Sequence, residues 1–456
     1  MGSLSRWAGA VFVAVAVGAC LYASAGTAVA QRPTPVISDL KATPANVGSA
    51  GFTVVTATVS GAETCTLSST KAVVGLPATF SCVGGSVEHG VRMPANKGRK
   101  ALRYKLKLSA IGSSARRKAN LAITVSPGAV PPAATAIAAG GQHSQTCALV
   151  STGNVDCWGA NYFGQLGDGS LISSDTPVEA IGITDPTQAS VGGDHVCALL
   201  PTGQIDCWGS NEYGQLGNGI TTGPDECPFA DPPAACSTEP VEVTGVTDAS
   251  HVAAGGDQTC AVLSSGHVEC WGSNQFDALG DGSAIGPEEC GPYRIACSAA
   301  PVEVTGITDA TQVSAGGGQT CVLLSTGHID CWGRNGYGQL GDGSTEDSDV
   351  PVEVLGISEA TQVSAGGDFT CALLSAGDVD CWGDGELGEL GDGATSRSDT
   401  PLGTAGITDA TQVSAGGDQA CALLPTGQID CWGANYDGQL GDGSTEDSDV
   451  PVEVGI

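Results

Sequence analysis

A Cys-Trp-Gly motif that occurs six times is the feature that most constrains this chain. Another cysteine stands ten residues before each motif, and a glycine-rich turn, a proline and a short apolar stretch follow it. Successive motifs are 50, 63, 61, 50 and 50 residues apart. A period near 50 with several short β-segments in each unit indicates a propeller or another repeat array. The six motifs begin at Cys157, Cys207, Cys270, Cys331, Cys381 and Cys431.

The unit at residues 311–354 predicts four strands, at 311–315, 320–324, 328–332 and 351–354. The second and third are joined by a short Ser-Thr-Gly loop in which Gly327 supplies the positive φ that a tight hairpin needs. Folding this hairpin about its centre places Cys321 opposite Cys331, where two Cβ atoms are close enough for a disulfide. Pro351 suits the start of a strand or the edge of a sheet.

The cysteine count supports the same conclusion. There are 19 cysteines, and removing or lipidating Cys20 leaves an even number, as in the disulfide framework of an exported protein. A metal site is the rival interpretation, but two thiolates per unit without a histidine at fixed spacing do not complete a tetrahedral site. Each cross-strand disulfide should contribute about 2–3 kcal/mol. The predicted pairs are Cys65–Cys82, Cys147–Cys157, Cys197–Cys207, Cys227–Cys236, Cys260–Cys270, Cys290–Cys297, Cys321–Cys331, Cys371–Cys381 and Cys421–Cys431.

The first thirty residues predict a signal peptide. Arg6 precedes an apolar run at residues 7–19, and Ala28-Val29-Ala30 fits a small-x-small cleavage site. The alternative is a lipobox at residues 17–20, in which Cys20 would be lipidated and would anchor the protein at the cell surface. In both cases the protein is exported, and we expect it to be secreted and extracellular.

Charge divides the rest of the chain. Residues 33–128 hold 12 lysines and arginines against three acids, a net charge of +9. Residues 129–456 hold three arginines against 46 acids, a net charge of −43. Two segments of opposite charge indicate two domains, and the acidic one would repel nucleic-acid phosphates. We therefore expect no nucleic-acid partner, and a membrane partner only if Cys20 is lipidated.

Residues 33–127 predict a small β-domain. Residues 103–108 alternate strictly, which places Tyr104, Leu106 and Leu108 on one face and three cations on the other. The strand pattern and one internal cysteine pair resemble a bacterial immunoglobulin-like sandwich. Its basic residues favour a solvated strand face, with binding to an anionic polymer or lipid headgroup as the alternative. The Pro- and Ala-rich residues 128–135 predict a linker.

The repeat itself resembles a known family. Cys-Trp-Gly-x-Asn-x-Tyr-Gly-Gln-Leu-Gly-Asp-Gly followed by Pro-Val-Glu-Val is similar to the regulator of chromosome condensation (RCC1) repeat, over residues 136–456. The resemblance implies an all-β fold in which a β-propeller follows the sandwich. Six motifs predict six blades, with seven, the number in the best-known members, as the alternative. The family's founder is a nuclear nucleotide-exchange factor, but no exchange residue maps onto this chain, so only the fold is implied.

Packing between units is also predicted. The tryptophan after each second cysteine should pack between blades rather than bind a ligand. Residues 135–139 match a first strand and residues 451–454 match a fourth strand. If the last residues join the sheet begun at Thr135, the two ends of the chain latch the ring.

Function is predicted where the units differ, because most of each unit is needed for folding. Insertions at residues 222–236 and 286–297 occupy the same place in adjacent units, so they should lie side by side. They carry Phe229, Tyr293 and Arg294, residue types that are frequent in binding surfaces. We expect a monomeric interaction module that contacts an extracellular protein or glycan, with tolerated surface insertions as the alternative.

Two other roles are weighed against binding. A secreted hydrolase would need carboxylates that converge on the propeller channel, but the six histidines share no unit position and no catalytic motif is present. A structural or adhesive surface component is the other alternative. The acidic loops at residues 342–349 and 442–449 favour solvated turns, so no cofactor is expected, with Ca²⁺ as the alternative.

Overall fold

The computed structural model describes residues 35–455 except 44–45, 48–51, 61, 70, 74–75, 83–85, 94–101, 112–114, 126–132, 141–144 and 229–233. The predicted signal peptide, Cys20 and most of the predicted linker lie outside the described residues. The chain divides into two compact units between residues 131 and 132. No helix among the described residues is long and apolar enough to cross a membrane.

The N-terminal unit consists of two β-sheets. A three-stranded sheet has the order β1-β3-β6, and a five-stranded sheet has the order β2-β8-β7-β4-β5. The strands are β1 (Val36–Thr43), β2 (Asn46–Val47), β3 (Phe52–Ser60), β4 (Thr64–Ser69), β5 (Ala78–Ser81), β6 (Ser86–Arg92), β7 (Leu102–Ile111) and β8 (Arg116–Val125).

Side chains from both sheets form the core of this unit. As predicted, Tyr104, Leu106 and Leu108 are buried, and the intervening residues of β7 are exposed or half-buried. Cys65 and Cys82 lie in the same core and form a disulfide. The unit is therefore a two-layer β-structure, and its assignment to the immunoglobulin-like class stays a prediction.

The described residues from 133 onward form six antiparallel blades; in four of them the strands lie in sequence order, and in blades 2 and 3 one added strand lies outside that order. Blades 1, 4, 5 and 6 have four strands. Their strands are β9 (Ala134–Gly140), β10 (Gln145–Val150), β11 (Val155–Gly159) and β12 (Ser174–Glu179) in blade 1; β23 (Ala310–Ala315), β24 (Gln319–Leu324), β25 (Ile329–Gly333) and β26 (Ser348–Glu353) in blade 4; β27 (Ala360–Ala365), β28 (Phe369–Leu374), β29 (Val379–Gly383) and β30 (Ser398–Gly403) in blade 5; and β31 (Gln412–Ala415), β32 (Gln419–Leu423), β33 (Ile429–Gly433) and β34 (Ser448–Glu453) in blade 6.

Blades 2 and 3 gain a fifth strand from the predicted insertions, because each insertion folds into a hairpin that extends the outermost strand. A single 3₁₀ turn, Gln275–Asp277, also lies in blade 3. The strands are β13 (Gln188–Val191), β14 (His195–Leu199), β15 (Ile205–Ser210), β16 (Asp225–Cys227) and β17 (Ala234–Glu242) in blade 2, and β18 (Ala249–Ala254), β19 (Gln258–Leu263), β20 (Val268–Ser273), β21 (Glu288–Cys290) and β22 (Ile295–Glu303) in blade 3.

The central hairpin of each blade has the predicted register. In blade 4, Cys321 lies directly opposite Cys331, their Cα atoms are 4.1 Å apart, and the two form a disulfide. The structure joins all nine predicted cysteine pairs. The fourth strand differs from the prediction, because it begins three residues before Pro351. It is the outer strand, and a register shift opposite Trp332 lets the chain accommodate a residue without a backbone N–H.

The blades are joined by one repeated set of hydrogen bonds, seen between blades 4 and 5. The Trp382 indole Nε1 donates to the Gln339 carbonyl at 2.9 Å, and the Gly343 N–H donates to the Asp399 carbonyl at 2.9 Å. The Gln312 side chain donates to the Val363 carbonyl and accepts from its N–H. Two further bonds complete the set, from Ala365 N to Ser314 Oγ and from Gln319 Nε2 to Gly366 O.

Paired glycines bring the blades together next to these bonds. The Gly317 N–H donates to the carbonyls of Gly366 and Gly367 in the next blade. A Cβ atom on Gly317 would lie 2.5 Å from the Gly367 oxygen, so only glycine permits this approach. The first strands of consecutive blades contact one another from blade 1 to blade 6, which places these strands nearest the common axis.

Blades 6 and 1 lack this set among the described residues. We call the residues of blade 6 that correspond to the blade 4 members of this set the trailing flank: Gln412, Ser414, Gln419, Gln439 and Gly443. We call their expected partners in blade 1 the leading flank: Ile137, Ala139, Gly140, Trp158 and Asp175. Between residues that the structure describes, no hydrogen bond joins the two flanks, and none of their atoms lies within 4 Å of a Cβ built on Gly443.

The predicted latch is wrong. The final strand, β34, pairs with β33 of its own blade, and β9 pairs with β10. Each repeat closes its own sheet because the chain enters every blade at the innermost strand and leaves from the strand that pairs with strand three of the same blade. The two ends of the repeat array therefore belong to different blades.

Candidate functional site

The candidate site is one face of the propeller, which we call the loop face. Because the strands of a blade are antiparallel and ordered, the loop between strands one and two and the loop between strands three and four leave from the same edge. The first is the Gly-Gly loop, and the second holds the Gly-x-Leu-Gly turn and, in blades 2 and 3, the insertion.

A buried asparagine shapes the long loop. In blade 4 the Asn335 side chain accepts from the Leu340 N–H at 3.0 Å and donates to the Ser344 carbonyl at 3.1 Å. Gly338 and Gly341 adopt positive φ, which lets the chain turn twice around the amide. The asparagines in this position are Asn161, Asn211, Asn274, Asn335 and Asn435. Their constancy was a sequence signal that the strand prediction did not use.

The loop carries an aromatic residue two positions after the asparagine. Four blades have one: Phe163, Tyr213, Phe276 and Tyr337. The preceding position adds Tyr162 and Tyr436, which are 44% and 61% exposed. A line of half-exposed aromatic rings therefore runs along the loop face, and such rings favour protein contacts.

Carboxylates stand beside the rings. The residue after the Gly-Gly pair is Asp194, Asp257, Asp368 or Asp418 in blades 2, 3, 5 and 6. Burial among protein atoms, followed by repulsion from Asp194 and Glu212, raises the pKa of Asp257 to about 6 although its side chain is exposed. Burial, then repulsion from Glu212, Asp257 and Tyr293, raises the pKa of Tyr213 to about 12.

Two arginines bind this combination of rings and acids within the chain. The Arg334 guanidinium lies 5.2 Å from the ring centroids of both Phe276 and Tyr337, and its Nη1 atom is 2.6 Å from Asp368 Oδ1. The Arg397 guanidinium lies 4.2 Å from the Tyr337 centroid and 2.7 Å from Glu386. Both arginines join ring and carboxylate groups from different blades.

Blade 5 breaks the pattern at one buried position. Blade 3 has Ala278 here, and the other four blades have glutamine, as in Gln339, whose side chain accepts from the Tyr337 N–H and donates to Asp368. Glu389 accepts from the Leu387 N–H at 2.8 Å but carries no amide donor. Burial, with Asp384 and Asp418 adding repulsion, raises the pKa of Glu389 to about 7.

The insertions contribute unevenly to this face. Tyr293 is 80% exposed, and Gly291 packs so closely on Tyr213 that a Cβ there would lie 2.9 Å from the ring. Arg294 is also exposed, and its Nε atom donates to Glu289 at 2.7 Å. Phe229 lies outside the described residues. The structure therefore brings Tyr293 to the aromatic line, whereas Arg294 forms an ion pair within its own loop.

Family models identify the repeat. The regulator of chromosome condensation (RCC1) repeat matches residues 152–199, 202–262, 327–373 and 426–456. A second model of the same repeat matches residues 134–165, 187–215, 310–339, 360–389 and 410–439. Together they cover more than half of the chain. The chain belongs to the RCC1 repeat family.

Relatives of this RCC1 repeat protein share its propeller. The human and mouse E3 ubiquitin-protein ligases HERC2 are each 29% identical over 204 residues, which is 44% of this chain but only 4% of theirs. Human WBSCR16 superposes with a TM-score of 0.60 at 22% identity, over 76% of this chain and 88% of that one. Prp20p from Saccharomyces cerevisiae gives 0.58 at 22% identity, over 70% and 76%. The RCC1 repeat family and the β-propeller are thus confirmed, whereas the immunoglobulin-like class of the N-terminal unit stays a prediction.

The possible metal ligands of this RCC1 propeller are engaged within the protein. Asp342 accepts from Ser344 and Asn335, and Asp347 accepts from the Asn335 N–H, so the first acidic loop is a hydrogen-bonded turn. Hydrogen bonds from Ser444 lower the pKa of Asp442 in the second acidic loop. Glu288, Cys290 and Cys297 also cluster, but both sulfurs belong to one disulfide and provide no thiolate.

Proposed function

We propose that this protein is an exported interaction module that binds a partner protein through the loop face. The signal-peptide pattern and the cysteine count support export, and the nine disulfides suit an oxidising compartment. The aromatic line on the loop face carries the proposal, because Tyr293, Tyr436 and Tyr162 combine exposed area with a polar tip. A glycan partner is the alternative, since exposed aromatic rings also stack on sugars.

Structural neighbours support a protein partner. The structure of yeast Prp20p is described with its binding properties to Gsp1p and histones, and the same yeast RCC1 has been solved bound to Kap60. Those partners belong to those proteins. They support protein binding as the kind of task that this propeller performs, and they do not identify the partner of this chain.

The partner should present arginine or lysine to the loop face. Arg334 shows how a guanidinium fits between Tyr337 and Asp368. Blade 2 offers the corresponding ring, Tyr213, and blade 3 the corresponding acid, Asp257, but the position of Arg334 is occupied by Ser210. At this boundary Asp194 and Glu212 add repulsion to the larger effect of burial on the pKa of Asp257. A cation from the partner would relieve that repulsion and stack on the ring.

Affinity capture from the native culture tests the proposal. We expect the wild-type protein to retain a specific partner, and Tyr293→Ala together with Asp257→Asn to lose most of it. Glu359→Gln is the matched control, because it removes one carboxylate from a loop on the opposite face, next to Ser375. Equal loss with this control would mean that net charge alone attracts the partner, and unchanged capture by the loop-face variant would refute the proposed surface.

Enzyme treatment of the culture separates a protein partner from a glycan partner. Capture that survives protease treatment of the culture but is lost after glycosidase treatment would replace the protein partner by a glycan. Loss of residues 222–236 should weaken capture only if that insertion also contacts the partner, so this deletion maps the extent of the surface.

A further inference from the structure

The outer face of the five-stranded sheet in the N-terminal unit is strongly basic. Alternate residues of β7 are buried, and the three cations between them lie on the face turned away from the core. β8 pairs with β7 so that two of its own cations stand opposite Ile111 and Ser109 on that face. Directly opposed residues share one face of a sheet, so the two strands bring five cations together. We call this surface the basic face; its cations are Arg103, Lys105, Lys107, Arg116 and Lys118.

Hydroxyl and amide side chains occupy much of the rest of the basic face. In β4, Thr66 stands opposite Ser109, and Ser68 follows two residues later on the same face. β5 continues the row, because Thr79 stands opposite Thr66 and their hydroxyl oxygens are 3.2 Å apart. Groups that donate and accept hydrogen bonds therefore lie beside the positive charges. The polar residues of this face are Thr64, Thr66, Ser68, Thr79, Ser81, Ser109 and Asn120.

No acid shares the basic face among the residues that the structure describes. Residues 33–128 contain three acids, of which Asp39 and Glu88 belong to strands of the other sheet and Glu63 precedes β4. None of the five cations forms an ion pair with a described residue. Alternate residues of a strand are about 7 Å apart, so the cations of β7 repel one another. A merely solvated surface normally mixes both signs of charge, and this uniform charge indicates an anionic ligand.

The shape of the basic face favours an extended ligand. The face is the side of a sheet, and its cations extend roughly 13–14 Å along β7 alone, from Arg103 to Lys107. A compact anion would contact one or two of these cations at a time. A linear polymer with one charge on each unit would contact all of them along the strand.

The side chains of the basic face favour a polysaccharide among the linear polyanions. Single-stranded nucleic acids stack their bases on aromatic rings, and membrane-surface elements combine cations with apolar side chains that enter the bilayer. The described side chains of this face include no aromatic ring, and its apolar members are Ile111 and Ala122. Serine, threonine and asparagine instead match the hydroxyl groups of sugars.

We propose that the basic face binds a linear polysaccharide that carries carboxylate groups. The lysines and arginines pair with the carboxylates, and the serine, threonine and asparagine side chains form hydrogen bonds with the sugar hydroxyls. Residues 129–456, with a net charge of −43, would repel the same polymer. The basic face is separate from the loop face, so the proposal does not depend on the function proposed above.

Binding of the full-length protein to polygalacturonate, a linear polymer with one carboxylate per sugar, tests the proposal by isothermal titration calorimetry. We expect binding at low salt, and Lys105→Ser with Lys118→Ser should weaken it by about tenfold or more because two charge-assisted contacts are lost. Lys41→Ser with Arg117→Ser is the matched control. It removes the same charge from the same unit, but Lys41 lies in the other sheet and Arg117 stands opposite the buried Ala110. This control should weaken binding by less than about twofold.

Poly-glutamate separates recognition of the sugar from attraction of the charge, because it carries carboxylates without hydroxyl groups. We expect it to bind several-fold more weakly than polygalacturonate at equal carboxylate concentration. Thr66→Val should narrow this difference, since it removes a hydroxyl from the basic face without changing its charge. If the first pair of substitutions prevents folding, Arg103→Ser with Lys107→Ser repeats the test on one strand.

Four results would overturn the proposal. No binding of the wild-type protein at low salt would mean that the basic face is only solvated. Equal weakening by the test pair and the control pair would mean that net charge alone attracts the polymer. Tighter binding to single-stranded DNA or to phosphatidylglycerol vesicles than to polygalacturonate would replace the polysaccharide by a nucleic acid or a membrane. A larger mass of the protein alone in light scattering at low salt would mean that a second copy covers the face.

Discussion

The interface between blades 4 and 5 and the two free flanks consist of nearly the same residues in different surroundings. Gln312, Ser314 and Gly317 each bond or touch the next blade, blade 5. The residues one hundred positions later in blade 6 make no corresponding contact with blade 1 among the described residues, although Gly417 still accepts from the Gly367 N–H of blade 5. In such an array each unit is stabilised by its neighbours as well as by itself. The comparison therefore separates the stability that a residue contributes within its blade from the stability that it contributes between blades.

The tryptophans should show the largest difference. Trp382→Ala removes a fully buried indole and its bond to Gln339, and we expect a loss of about 3–5 kcal/mol in unfolding free energy. Trp158→Ala should cost less than about 1 kcal/mol, because half-exposed side chains bury less area. Denaturant unfolding followed by circular dichroism, with disulfides intact, measures both. Equal costs would mean that Trp158 is covered in solution.

Glu389 should make one internal interface depend on pH. Its folded pKa of about 7 lies above its usual 4.5, so the folded state holds the proton more tightly than the unfolded state. The stabilisation that this proton contributes is fully present below pH 4.5 and is lost as the pH rises through 7. At about 1.4 kcal/mol per pKa unit, the free energy of unfolding falls by roughly 3 kcal/mol. Unfolding of Glu389→Gln between pH 4.5 and 8 should lack this component, and Gln339→Glu should introduce it between blades 4 and 5. An identical pH profile for wild type and Glu389→Gln would disprove the assignment.

Substitutions at the paired glycines should show a smaller difference in stability between the two regions. Gly317→Ala forces a Cβ against the Gly367 carbonyl, and we expect about 1–3 kcal/mol of destabilisation from overpacking. A Cβ on Gly417 would meet no atom of the described residues within 4 Å, and Gly417→Ala should change stability by less than about 0.5 kcal/mol. Thermal midpoints of the two variants, compared with wild type, decide the matter. A large cost at Gly417 would show that another blade approaches it.

The smallest difference in stability should come from substitutions of Gln312 and Gln412. Gln312→Ala removes two hydrogen bonds to Val363, and we expect a cost of about 1–2 kcal/mol. Gln412→Ala removes an exposed side chain without such a partner and should be neutral within about 0.5 kcal/mol. Hydrogen exchange at the Val363 amide should rise only in the first variant. If Gln412→Ala is the more costly change, the flanks are not free.

Local features of the fold were predictable because each of the six repeats contains the same sequence signals for them. The ten-residue cysteine spacing and the glycine between the strands gave the hairpin register, and the constant tryptophan gave the packing between blades. The fourth strand was misplaced at Pro351, because a bulge that accommodates proline leaves no periodic signal. The latch was wrongly predicted because the sequence of strand one or strand four does not show which blade the strand joins.

The candidate site was only partly predictable. Tyr293 was found because the insertion breaks the repeat. Arg334 was not, because its partners Phe276 and Asp368 come from neighbouring blades and share no sequence pattern with it. Alignment of the units would have revealed Glu389 as the acid in a glutamine position. Its raised pKa, however, follows from burial beside Asp418, which only the packed blades bring about.

None of the nine disulfides joins two blades, and this has a mechanical consequence. Tension applied to the ends of the propeller would meet no covalent bridge between blades and no strand shared by the first and last. Blades would detach one at a time, while each stapled hairpin keeps its ten-residue loop closed. A four-stranded blade would then release about 40 residues, roughly 13–14 nm of chain. The protein would extend under force in discrete steps. The six disulfide-closed hairpins would remain as starting points for refolding.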